Sequence, residues 1–164
     1  MTYSKIPKIV MLPAQLYAGF SQDMSMTENT TFALWRSFKP LAKDVLNRIG
    51  TDFYDIKCYQ KGYFQSFKPN EVFTKWVAVS VSSESTPPFK NLQIPGGMYA
   101  VFTFQGEPQE LSQLYQYLLT EWLPSSPYKI EDDRPQFDKI PENYDLKSSA
   151  AVAEEIWIPI GYKD

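Results

Sequence analysis

The chain repeats itself. Residues 12–20 read LPAQLYAGF and residues 94–102 read IPGGMYAVF, so that Pro13, Tyr17, Ala18 and Phe20 are answered by Pro95, Tyr99, Ala100 and Phe102. The offset is 82 residues (95 − 13), half of a 164-residue chain. A motif that returns after half the length points to one small unit written twice. The fold must then place two like units side by side.

The segments after the two motifs correspond as well. After the first, Trp35, Phe38, Leu41, Ala42, Val45, Leu46 and Ile49 recur at helical spacing, with Lys39, Lys43, Asp44 and Arg48 off the stripe. Gly50 is the expected stop, and Pro40 should kink or divide this helix. After the second motif, Leu111, Leu114, Tyr115, Leu118 and Trp122 form a stripe that Pro108 opens and Pro124 ends. Segments 52–60 and 134–140 read as short strands, and 73–81 and 154–160 as β-branched closing strands.

The order is β-α-β-β, twice. It implies an α+β domain: one antiparallel sheet with two helices on one face and a groove near the pseudo-twofold axis. The whole chain, 1–164, is read as a single domain, with repeat 1 at about 5–82, a turn-rich connector at 83–92 and repeat 2 at about 93–163.

Alternation along the strands assigns the faces. Leu16, Ala18 and Phe20, with Met98, Ala100 and Phe102, make apolar rows suited to helices, as do Val77, Val79 and Val81 with Ile156, Ile158 and Ile160. The opposite rows hold Tyr17, Trp76, Tyr99, Glu155 and Trp157. These rows imply an aromatic groove on the helix-free face; the alternative is a second core under a covering loop. The acid on these rows falls in the second half alone, Glu155 standing where the first half has Thr74 or Lys75.

Composition narrows the chemistry. The chain has no histidine and one cysteine, Cys58, which removes zinc sites, Ser-His-Asp triads and Cys-His dyads. No metal or other cofactor is expected. A single cysteine allows no internal disulfide and suits a reducing cytoplasm. A net charge of −3 without a basic run gives no reason to expect nucleic acid as a partner. No stretch has the length or apolarity of a signal peptide or a membrane span. Aromatics at 16% of residues, with four tryptophans, supply material for a ring-lined site.

Four segments carry a resemblance: GGMYAVFTFQG (96–106), LYQYLLTEWLPSSPY (114–128), DDRPQFDKI (132–140) and EEIWIPI (154–160). Together with LPAQLYAGF and LWRSFKPLAKDVLNR in the first half, they resemble the GyrI-like effector-binding family, found also in AraC-type and multidrug-responsive transcription regulators. The resemblance implies a cleft that takes bulky, hydrophobic and often cationic molecules between aromatic rings above an acid. The family's glutamate falls on Asp138, one methylene shorter. Where many members have tyrosine this chain has Ile140, with Tyr144 as the candidate replacement ring.

The expected ligand-binding set is therefore Tyr17, Trp76, Tyr99, Asp138, Tyr144, Glu155 and Trp157. For Asp138 a solvent-facing position paired with Lys139 or Lys129 stays open as an alternative to the groove. No DNA-reading segment precedes the first strand, so the expected role is sensing or sequestering a small hydrophobic or amphiphilic molecule. The resemblance also implies an alternative hydrolase of electrophilic cyclopropane compounds, with Asp138 or Glu155 as acid or base beside Tyr99 or Tyr17. A third alternative is a protein partner, as in gyrase inhibition.

Overall fold

Strands that alternate apolar with polar residues bury one face first, and here the apolar rows decide where the helices go. The computed structural model describes residues 1–144 and 153–164. Among them are ten strands: β1 (Thr2–Tyr3), β2 (Lys8–Leu12), β3 (Gln15–Met24), β4 (Phe53–Cys58), β5 (Phe73–Ser80), β6 (Lys90–Ile94), β7 (Gly97–Gln105), β8 (Tyr128–Ile130), β9 (Gln136–Ile140) and β10 (Glu154–Tyr162). They form one antiparallel sheet in the order β1-β7-β10-β9-β4-β5-β3-β6, with β2 also on β7 and β8 on β10. The architecture is α+β. First-half strands β3, β5 and β4 meet second-half strands β9, β10 and β7 at the β4–β9 pair, the seam of the sheet. No helix among the described residues is long and apolar enough to cross a membrane.

Helix α1 (Thr31–Phe38) packs Leu34, Trp35 and Phe38 against Ala18, Val77, Val79 and Val81. Helix α2 (Leu111–Tyr117) continues through a π turn, Leu118–Trp122, into a last turn, Leu123–Ser125. It buries Leu114 and Leu118 against Ala100, Phe102, Ile156 and Ile158. The small alanines Ala18 and Ala100 face the helices in both halves. Each fully buried Leu, Ile or Phe in these cores contributes roughly 1.5–3 kcal/mol. At the start of the second helical run Glu107 and Glu110 cap one another, and the Glu107 backbone N–H donates to the Glu110 carboxylate at 2.8 Å.

Several expectations need correcting. The first helix does not reach Gly50. Pro40 has no N–H to continue the ladder, so α1 gives way to a 3₁₀ segment, Lys39–Asp44, and Val45 is extended. Leu46 and Ile49, assigned to the apolar stripe, are therefore 69% and 54% exposed. Gly50 and Asn47 instead take positive φ in the turn beyond it. Pro124 lies inside the closing helical turn rather than after it. The stretch treated as connector already contains the start of β6, which pairs with β3, and β2 pairs with β7. Both are short edge strands next to prolines, with too little alternation to stand out.

Gly19 departs from the internal echo, since Val101 occupies the matching place. A Cβ at Gly19 would run into the Val77 carbonyl and the Ala78 Cα of the paired strand. Such close backbone approach inside a strand is what excludes a side chain there. Gly19→Ala should therefore destabilise the protein by about 2–3 kcal/mol, measured by urea unfolding. An unchanged midpoint would show that β3 and β5 separate without cost.

Candidate functional site

The helix-free face does gather the expected rings. Tyr17 lies 4.8 Å from Tyr54 and 6.3 Å from Phe137, centroid to centroid, and Tyr99 lies 5.4 Å from Phe137 and 5.8 Å from Trp157. Phe137 stacks on Trp157 at 5.2 Å, and Trp76 packs at the margin of the same cluster. A ring on β3 touches one on β9 although β5 and β4 lie between them in the sheet, so the sheet is strongly curved toward this face. The curvature closes it. Ile94, Val10, Leu12 and Leu92 pack in from the edge strands, leaving Tyr17 2% and Tyr99 0% exposed.

This corrects the expected groove: Tyr17 and Tyr99 belong to a third core. The Arg134 guanidinium sits 5.3 Å from the Tyr99 ring centroid and donates to the carbonyls of Met98 (3.1 Å) and Ile160 (3.0 Å). The Tyr99 hydroxyl donates to the Pro135 carbonyl, and burial pushes its pKa up to about 12. Burial raises Tyr17 as well. Glu155 is half-buried and accepts from Trp157 Nε1 at 3.2 Å. Trp76 and Trp157 thus border this core, and Glu155 lines a shallow open pocket with Asp52, Lys139, Pro141 and Ala153.

Asp138 points the other way. Phe137 enters the third core, and alternation turns Asp138 to the face that bears the helices. There it stands directly opposite Asp55 across the β4–β9 seam. Two carboxylates in register repel. Lys57 answers both, its Nζ 2.7 Å from Asp138 Oδ2 and 3.4 Å from Asp55 Oδ1. Lys75, paired with Lys57 across β4–β5, lies 2.9 Å from Asp55 Oδ1, and Trp35 Nε1 donates to Asp55 Oδ2 at 3.3 Å. The acids therefore come from both halves, not from the second alone.

The electrostatics result from burial and these partners. Burial by itself would raise the Asp55 carboxyl, but Lys57 and Lys75 outweigh it and hold it at about 2. Burial raises Asp138, opposed by Lys57. Burial would lower Lys57, yet Asp138 and Asp55 bring it well above its ordinary value. Lys57 and Asp138 are in close ion-pair contact through Oδ2, while Asp138 Oδ1 has no hydrogen-bond partner among the described residues. Tyr59 and Tyr115, packed on the first and second cores respectively, stand close enough to Lys57 to influence it. Glu154, at the start of β10, is raised to about 8 by burial, with Asp138 adding to the shift and Lys57 opposing it.

Beside this cluster, on the same face, lies an apolar depression lined by Trp35, Lys39, Phe53, Ile140, Pro141 and Tyr144. Phe53 and Ile140 face one another in the next inward-facing register pair of the seam. Trp35 joins the two environments, as wall of the depression and hydrogen-bond donor to Asp55. Lys39 Nζ donates to the Tyr144 carbonyl at 3.3 Å. Of the expected residues, then, Asp138 and Tyr144 come to this side, away from Tyr17, Trp76, Tyr99, Glu155 and Trp157.

Sequence reasoning passed over Trp35, Asp55, Lys57, Lys75 and Glu154. The available signal was charge at inward positions: Asp55 and Lys57 alternate with Tyr54, Ile56 and Cys58, and Lys75 interrupts the row of Phe73, Val77 and Val79. Among the described residues no group of three or more His, Cys, Asp or Glu side chains is arranged to hold a metal ion.

Glu154 makes stability depend on pH. The folded chain holds its proton more tightly than the unfolded chain, whose carboxyl titrates near 4.5. Its contribution is complete below that value and is lost as pH rises through about 8. Asp55, depressed from 3.8 to about 2, acts only at lower pH. Between about pH 5 and pH 9 the wild type should lose roughly 2–4 kcal/mol relative to Glu154→Gln, read from urea unfolding at each pH. Parallel stability profiles for the two proteins would overturn this assignment.

The model of the GyrI-like small molecule binding domain matches residues 6–161. No curated protein matches the chain significantly. Among solved structures, SAV2435 bound to tetraphenylphosphonium is similar at TM-score 0.68 and 13% identity, covering 98% of this chain and 94% of that one. The C-terminal domain of EcmrR is similar at TM-score 0.69 and 13% identity, covering 99% and 100%. A hydrolase encoded by lin2189 from Listeria innocua is similar at TM-score 0.54 and 9% identity, covering 96% and 92%. At these identities the likeness is one of fold.

Proposed function

Since the chain belongs to the GyrI-like small-molecule-binding family, we propose that it binds a bulky hydrophobic molecule on the helix-bearing face, over the β4–β9 seam. The observation that carries this reading is the buried Asp55–Asp138 pair, adjoining an apolar depression through one shared side chain, Trp35. A ligand site needs apolar walls and a few polar groups that fix orientation. Trp35, Phe53, Ile140 and Tyr144 supply the first, and Asp138, with a buried oxygen lacking a hydrogen-bond partner among the described residues, supplies the second. The protein acts in this reading as a sensor or a sequestering protein in a reducing cytoplasm. Burial pushes the thiol of Cys58 up to about 11, which makes it inert as a nucleophile at neutral pH.

The domain is read as two fused copies, at about 5–82 and 93–163. Supporting this is the strand order, in which β3-β5-β4 and β7-β10-β9 run inward from opposite sides to one seam. The hydrolase alternative places Asp138 or Glu155 beside Tyr99 or Tyr17; against it stand the burial of both tyrosines and the turn of Asp138 to the opposite face of the sheet.

Tryptophan fluorescence separates the two faces. A panel of lipophilic aromatic compounds should contain members that quench the wild type. That quenching should be lost in Trp35→Phe and kept in Trp157→Phe. The opposite pattern would move the site to the helix-free face.

A further inference from the structure

Charges at the seam alternate. Asp55 and Lys57 stand two residues apart on β4; Asp138 faces the first from β9, and Lys75 faces the second from β5. Two carboxylates are thus met by two ammonium groups within 2.7–3.4 Å. Glu154 adds no net charge at neutral pH, since burial keeps it protonated up to about 8. Tyr59 and Tyr115, also raised by burial, are neutral there. The buried cluster has no surplus negative charge to offer a ligand.

Lys57 is also held in place. Its backbone lies in the middle of the sheet, opposite Lys75 on one side and Gln136 on the other, and its side chain is only 12% exposed. A group tethered beside its partners competes at an effective concentration that a free cation does not reach. Displacing it would bury an unpaired ammonium elsewhere or carry it into water at the expense of both contacts. An ammonium has three donors and the two carboxylate contacts take at most two of them, which leaves one N–H for an acceptor.

We infer that Lys57 sets the charge of the ligand: it occupies the place between Asp55 and Asp138 that a cationic ligand would take, and the cleft accepts uncharged apolar molecules that present a hydrogen-bond acceptor to it. The inference rests on the cleft over the β4–β9 seam being the ligand site. It makes the site different in preference from one with bare carboxylates, although the carboxylates are present. Selectivity of this kind comes from a built-in repulsive element as much as from attraction.

Two compounds that share three phenyl rings test it: triphenylphosphine oxide, neutral with a strong acceptor, and methyltriphenylphosphonium, a cation. Both are titrated into the whole protein by calorimetry and tryptophan fluorescence. The wild type should bind the oxide at least about tenfold more tightly, and Lys57→Met should reverse the preference by a similar factor. Lys57→Gln serves where the methionine variant does not fold. If the wild type binds the phosphonium as well as the oxide, or the ratio is unchanged without Lys57, the inference is wrong while the cleft stands. If oxide binding is indifferent to both Trp35→Phe and Phe53→Ala, the ligand lies elsewhere and the cleft reading falls too. Failure of both compounds to bind either protein overturns both.

Discussion

Everything at the centre of this protein is arranged around two aspartates that face each other. Asp55 and Asp138 sit in register on the strands that join the halves of the sheet, and both are buried. Two like charges buried side by side repel far more strongly than they would in water. The sheet closes over them because Lys57 reaches both and Lys75 supports one. Losing one partner from such a buried arrangement typically costs about 3–5 kcal/mol, since a charge is left without an answer. The cross-half contact is thus ionic at its middle and apolar on either side, where α1 and α2 cover their own cores.

That arrangement explains why the aromatic residues divide into two populations. On the curved, helix-free face Tyr17, Tyr99, Phe137 and Trp157 fill the interior and exclude water. On the other face the helices pack on the outer strands and leave the seam between them, so Trp35, Phe53 and Tyr144 frame a depression rather than a core. The same residue type therefore fills a core on one side and frames an apolar depression on the other. What covers each face decides between them: side chains of the edge strands close over the rings on the helix-free face, and the two helices cover their own cores on the other.

Much of the architecture was legible in the residues. The 82-residue echo, the helical stripes and the β-branched closing strands lead to the observed element order, and the alternation of Ala18 and Ala100 with Tyr17 and Tyr99 assigns the helix-bearing face. Less of the site was legible. Tyr144 and Asp138 were named for it through a resemblance, whereas Tyr17 and Tyr99 were named from alternation and lie in a closed core. Asp55 was passed over although Lys57 stands two residues on at the same inward phase, because its partner Asp138 lies far along the chain and is brought to it only by strand pairing. Pro40 was seen, but its full effect, replacement of the last helical turns by a 3₁₀ segment and extended chain, depended on what the helix packs against.

What the sequence by itself determined was local and periodic: the main strands and the starts of both helices, which rows are apolar, and that no histidine is available for metal or base chemistry. Periodicity assigns a side chain to one face of its own strand and is silent about what covers that face. The tertiary structure alone decided that β4 meets β9, that Asp55 thereby faces Asp138, and that Lys57 stands between them. Register between distant strands depends on the curvature of the whole sheet and the packing of both helices, and these are properties of the assembled chain rather than of any segment within it.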